Sequence, residues 1–113
     1  MQNSDINILI QKTLSNNNCE DIIELDVKEK SSITDTFIVA SCTSNLQVSA
    51  SAKLILKMLK DNKVKNINTH GIDVGNWALI DIGNTIVHIF RHEVRDYYNI
   101  TEIWSDSIHT AEK

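Results

Sequence analysis

Glu24 and Asp26 stand two residues apart in Ile22-Ile23-Glu24-Leu25-Asp26-Val27. In a strand, residues at that spacing share a face, and two carboxylates so placed can hold a pair of magnesium ions for nucleotidyl transfer. That chemistry also needs a glycine-serine turn to hold the triphosphate, and none lies near them. The plainer reading is a solvated strand face. A metal-dependent nucleotidyltransferase using Glu24 and Asp26 stands as the alternative function.

Four histidines (His70, His88, His92, His109) are scattered, and no two share a helical face at metal-ligand spacing, so no metal site is expected. His88 can reach diagonally across a hairpin to Asp81, roughly 7–8 Å between backbones, which suits a hydrogen-bonded pair as well as an acid–base couple. With no serine or cysteine placed beside it, catalysis has little to build on. Cys19 and Cys42 lack Cys-x-x-Cys spacing and read as small buried or half-buried residues in a reducing cytosol. No enzyme and no cofactor are expected.

These side chains have to be positioned by a chain of 113 residues without proline, which reads as a single domain over 1–113. Ser4 caps a first helix whose Ile6, Leu9, Ile10 and Leu14 recur at helical spacing, with Asn16 to Asn18 as its stop. Ile22 to Val27 alternates as a strand, and Lys28 to Asp35 is a polar turn. Thr36 to Ser41 is apolar on both faces and belongs inside a sheet. Ser44 and Gln47 have capping-box spacing and open the longest helix, about residues 45 to 61. Lys63, Lys65, Ile67 and Thr69 form a short edge strand, the lysines guarding it from strangers. The loop from Gly71 to Asn76 precedes a strand, not the helix that a phosphate-cradling loop requires. The whole is an α/β domain: a mixed β-sheet with helices packed mainly on one face.

The next segment is the informative one. Trp77 to Ile82, Gly83-Asn84, and Thr85 to Phe90 read as two strands joined by a two-residue turn, Gly83 supplying the positive backbone angle. Pairing Ile82 with Thr85 sets Asp81 opposite Ile86, Ile80 opposite Val87, Leu79 opposite His88, Ala78 opposite Ile89 and Trp77 opposite Phe90. One face then carries Ala78, Ile80, Ile82, Thr85, Val87 and Ile89 and suits a core. The other carries Trp77, Leu79, Asp81, Ile86, His88 and Phe90, a mixture foreign to ordinary core. Two helices suffice to cover one side of the sheet, so this mixed face is expected to be partly open and to bind a protein partner. The competing reading folds the C-terminal segment back over part of it. His92 to Tyr98 reads as a short helix whose Val94, Tyr97 and Tyr98 extend the patch, and the chain ends in a frayed tail from Asp106.

Composition narrows the partner. Eleven basic against fifteen acidic residues give a net charge of -4, which disfavours binding through phosphate, and no sequence-specific nucleic-acid contact is expected. Residues 77–113 hold six acids and three bases, a setting for a basic protein partner. Of six aromatic residues, five (Trp77, Phe90, Tyr97, Tyr98, Trp104) lie in that same stretch. No apolar run is long enough to cross a membrane, and no Arg-rich, acid-poor leader precedes the domain, so a cytoplasmic, bacterial setting is expected.

Taken in order, Asp21 to Val27, Ser31 to Ala40, Thr43 to Val48, Trp77 to Asp81, Val87 to Phe90, Tyr97-Tyr98 and Glu102 to Trp104 resemble the ribosomal silencing factors, also called the Iojap family. The resemblance covers nearly the whole chain. It implies a nucleotidyltransferase-like topology without the active site, and a translational repressor that acts when nutrients are short. Such a repressor binds ribosomal protein L-fourteen of the large subunit and sterically blocks joining of the small one. It further implies a homodimer when free, and a contact surface at Trp77, Leu79, Asp81, Phe90, Tyr97 and Tyr98. The chain departs from the family pattern at Cys42, Leu46 and Asn84, where glycine, a basic residue and an acid are usual or frequent.

Overall fold

The computed structural model describes residues 3–94 apart from 31 and 33. Helix α1 (Asn3–Asn16) buries Ile6, Ile10 and Leu14, the recurring stripe. It starts at Asn3, so Ser4 lies inside the helix and does not cap it, while Asp5 places its charge at the favourable N-terminal end of the helix dipole. Its stop is a left-handed Asn18 (φ 62°), with Asn18 N–H donating to the Ser15 carbonyl and Cys19 N–H to that of Leu14. Those two bonds satisfy carbonyls that a helix end leaves orphaned. The same device closes α2 (Asn45–Asp61): Lys63 is left-handed (φ 62°), and Val64 N–H reaches back to the Leu59 carbonyl.

At the start of α2, Ser44 Oγ accepts the Gln47 N–H at 3.1 Å, as the spacing indicates. The Gln47 carboxamide oxygen turns instead to Thr43, accepting from its N–H and hydroxyl, and its nitrogen donates to the Asn17 and Asn18 carbonyls. One side chain thus ties the end of α1 to the beginning of α2.

The five strands are β1 (Glu20–Asp26), β2 (Thr36–Cys42), β3 (Asn68–His70), β4 (Trp77–Asp81) and β5 (Thr85–Arg91), in spatial order β1-β2-β5-β4-β3. Only β2 and β5 run parallel; the other three pairs are antiparallel. The sheet is therefore mixed, as expected, and β2 is interior. β1 begins before Ile22, because a left-handed Asp21 (φ 49°) makes an irregularity between Glu20 and Ile23 and lets pairing with β2 continue past it. The edge strand β3 falls at Asn68–His70, later than the lysine-bearing stretch suggested: Lys63 is spent on closing α2, and residues 64–67 carry no strand pairing.

The hairpin has the expected register at every pair from Trp77–Phe90 to Asp81–Ile86. Ile82 N–H donates to the Thr85 carbonyl at 3.0 Å, and Gly83 (φ 95°) turns the corner in open space. Ala78, Ile80, Val87 and Ile89 lie with Ile38, Ala40 and Cys42 under both helices, against Ile10, Leu14, Val48, Ala52, Ile55 and Leu59. The opposite face gathers Val27, Phe37, Val39 and Phe90, flanked by Ile23, Leu25, Trp77, Ile86 and Val94. Both helices lie on one face, as the pattern required.

Candidate functional site: the aromatic face of the hairpin

Strand alternation brings four rings together on the face away from the helices. Trp77 lies over its cross-strand partner Phe90 with centroids 4.8 Å apart, His88 stacks near-parallel to Phe90 at 6.0 Å, and Phe37 meets His88 edge-on at 4.7 Å. Offset and edge arrangements of this kind add to the attraction that burial alone supplies. Trp77 is held from two sides. Its indole Nε1 donates to His88 Nδ1 at 3.2 Å, and its carbonyl lies so near Gly71 (φ 74°) that a Cβ there would approach the oxygen to 2.2 Å. The loop carrying Gly71 is itself bound to α2, the Ser49 hydroxyl donating to the Ile72 carbonyl and the Asn45 amide to that of Val74.

Accepting the indole proton leaves neutral His88 as the Nε2–H tautomer. That Nε2 is buried and has no partner among the described residues. Burial pulls the His88 pKa from 6.5 down to about 4, so the ring is neutral at physiological pH. A neutral, enclosed imidazole locking a tryptophan is a positioning device. Asp81 is not its partner: the Asp81 carboxylate accepts the Gly83 N–H at 2.8 Å and so braces the turn. The expected His88–Asp81 pair is replaced by His88–Trp77, since both Asp81 and Trp77 are diagonal neighbours of His88 and the turn claims the acid first.

Trp77, Leu79, Asp81 and Ile86 are half-buried and keep part of their surface exposed, whereas Phe90 is wholly buried beneath Trp77 and His88 is 4% exposed. The helical stretch expected after the hairpin begins at His92 and is described through Val94, which packs against the aromatic cluster. Tyr97 and Tyr98, and the segment that would fold over the face, lie outside the described residues. Sequence reasoning missed Phe37 as a member of the cluster. Its alternation on β2 was visible, but only the parallel β2–β5 pairing carries it to His88.

Glu24 and Asp26 do lie together, beside a cleft of about 430 Å³ that Asn7, Lys28 and Asp35 also line. Glu24 accepts from the Gln11 amide at 2.6 Å, and Asp26 accepts from the Lys28 N–H. Among the described residues no group of three or more His, Cys, Asp or Glu side chains is placed to hold a metal ion. No described helix is long and apolar enough to cross a membrane.

The family model described as "Ribosomal silencing factor during starvation" matches residues 2–113. A Chromobacterium violaceum protein named "Ribosomal silencing factor RsfS" is 36% identical over 104 residues, covering 92% of this chain and 85% of that one. Mouse "Mitochondrial assembly of ribosomal large subunit protein 1" is 28% identical over 104 residues, covering 89% of this chain and 45% of its own. A crystal structure of a Chromobacterium violaceum protein superposes with a TM-score of 0.89 at 36% identity, covering 93% of this chain and 88% of that one. Kinship with nucleotidyltransferases draws no support from these comparisons.

Proposed function

The chain belongs to the ribosomal silencing factor family, and from that premise we propose that it is a non-catalytic repressor of translation, acting in the cytoplasm as one domain over residues 1–113. It binds the large ribosomal subunit through ribosomal protein L-fourteen and blocks joining of the small subunit when nutrients are limiting. The mouse relative's name, which concerns assembly of the large subunit, agrees with that choice of subunit.

The observation that carries this reading is the braced Trp77. An indole fixed by Phe90 beneath and His88 at its nitrogen loses little freedom on binding, so its contact area goes into affinity instead of into ordering the side chain. Leu79, Asp81 and Ile86 surround it with apolar surface and one negative charge. Phe90 contributes as the platform, and Tyr97 and Tyr98 extend the surface along the chain. When the partner is absent, the same face pairs two copies of the chain.

Trp77→Ala combined with Asp81→Lys is expected to abolish co-sedimentation with purified large subunits while the far-ultraviolet dichroism stays native. Binding retained by the folded double variant would remove this face as the site. Asp81→Lys alone, which reverses the charge and also removes the bond to the Gly83 N–H, is expected in a chain whose dichroism stays native to weaken binding at least about tenfold, or about 1.4 kcal/mol.

A further inference from the structure

Cys19 immediately precedes β1 and Cys42 ends β2, so both lie at the open end of the β1–β2 hairpin. Glu20 pairs with Ser41 in antiparallel register, so the flanking Cys19 and Cys42 stand directly opposite one another. Both are free thiols, and their sulfurs are 3.5 Å apart. Directly opposed residues have Cα atoms about 4.5–5.5 Å apart, inside the range a disulfide spans, so closing to a bond length of about 2.05 Å calls for small side-chain rotations and no refolding.

We infer that Cys19 and Cys42 are a modification site, which a small peroxide converts reversibly into an intramolecular cross-strand disulfide. The two sulfurs have distinct parts. Cys19 keeps 8% of its surface exposed and Cys42 none, so the oxidant meets Cys19 first. The Ser51 hydroxyl lies 3.2 Å from the Cys19 sulfur, and the Asn17 amide donates to the Ser51 oxygen at 2.7 Å, leaving the hydroxyl proton free to point at that sulfur. A hydrogen bond from the Cys42 thiol holds the Cys19 pKa down at about 7, Ser51 helping and burial opposing; the same bond and burial push Cys42 up. Cys19 is thus the nucleophile and Cys42 the proton-bearing partner.

The steps balance. The Cys19 thiolate attacks hydrogen peroxide, an S–O bond forms as O–O breaks, and hydroxide leaves with the Cys19 sulfenic acid behind. Cys42 then attacks that sulfur, S–S forms as S–O breaks, and the departing hydroxide takes the Cys42 proton. Two thiols and one peroxide give one disulfide and two waters, two electrons passing from sulfur to oxygen. The bond would tie the end of α1 to the last residue of β2. Cys42 pairs with Arg91 at the sheet end that also bears Trp77 and Phe90.

The test uses the whole reduced chain and hydrogen peroxide. Both thiols are expected to disappear without dimer formation, tryptic peptide 13–28 appearing linked to 31–53 and dithiothreitol restoring both. The melting temperature of the oxidised chain rises by roughly 10 °C. Initial thiol loss runs faster at pH 8 than at pH 6, following the thiolate fraction of Cys19. In Cys42→Ser, dimedone traps a sulfenic acid at Cys19; in Cys19→Ser, Cys42 stays reduced. Persistence of both thiols in the folded wild-type chain, bonds only between chains, or oxidation of Cys42 ahead of Cys19 would overturn the assignment. None of these readouts involves the ribosome, so the result is independent of the proposed function.

Discussion

At the scale of single residues, one hydrogen bond decides how the aromatic face behaves. His88 is neutral in the fold, with its pKa pulled from 6.5 to about 4 by burial, while in the unfolded chain it takes up a proton near its ordinary value. Between those two values the unfolded state binds more protons, so stability is fully present above about pH 6.5 and falls as pH drops toward 4. The loss amounts to about 3 kcal/mol over that window. Urea denaturation at pH 7 and pH 5 should therefore show acid destabilisation in the wild type, with a flatter response in His88→Phe, which fills the same apolar site without titrating. Trp77 opposite Phe90 was legible in the sequence, because a two-residue turn leaves a single register for the pairs behind it. The partner of His88 was not legible. Alternation assigns a face but does not choose between two diagonal neighbours, and that choice fell to the Gly83 N–H, which occupies Asp81.

At the scale of elements, the ends and connections hold more information than the middles. α1 and α2 were readable from their stripes, and both strands of the hairpin from their alternation and Gly83. The placement of β3 was not, since a lysine-bearing stretch reads equally as an edge strand or as a helix exit. The backbone makes Lys63 the left-handed residue that ends α2. Lys63→Gly relieves that conformation and is expected to raise stability by about 1 kcal/mol, measured by chemical denaturation. Gly71→Ala works in the other direction. It forces a side chain into a left-handed position 2.2 Å from the Trp77 carbonyl oxygen and should cost at least about 1–2 kcal/mol. Because the same contact positions Trp77, that variant should also weaken binding to the large subunit more than its loss of stability accounts for, as titration below its melting range would show.

Across the whole molecule, five lysines gather on the helix-covered side of the sheet, together with acids such as Glu24, which accepts from Gln11 of α1, and Asp61, which pairs with Lys57. Lys53, Lys57, Lys60, Lys63 and Lys65 are all exposed on α2 and its exit, on the helix-covered side, while Asp81 lies on the aromatic side. Net charge alone pointed to a basic protein partner and did not show where these lysines lie. If the aromatic face is the one that docks, Lys57→Glu leaves subunit affinity within about twofold, while Asp81→Lys reduces it at least about tenfold, both read at fixed ionic strength. Equal losses from the two variants would place the contact elsewhere.

The parallel pairing of β2 with β5 bears on how this chain is made. β2 starts at Thr36 and its partner at Thr85, so the central seam of the sheet joins segments separated by two intervening strands and the longest helix. On a chain growing from its N-terminus, β1 and β2 emerge early as a lone hairpin, with Phe37 and Val39 uncovered and the inner edge of β2 unpaired. Nothing local can close that edge. It waits for residues 85–91, because β5 supplies the strand that completes it and also Phe90 and His88, the supports of Trp77. A nascent chain stopped before residue 85 thus lacks both its central strand and the supports of Trp77, and the sheet and the aromatic face are completed together.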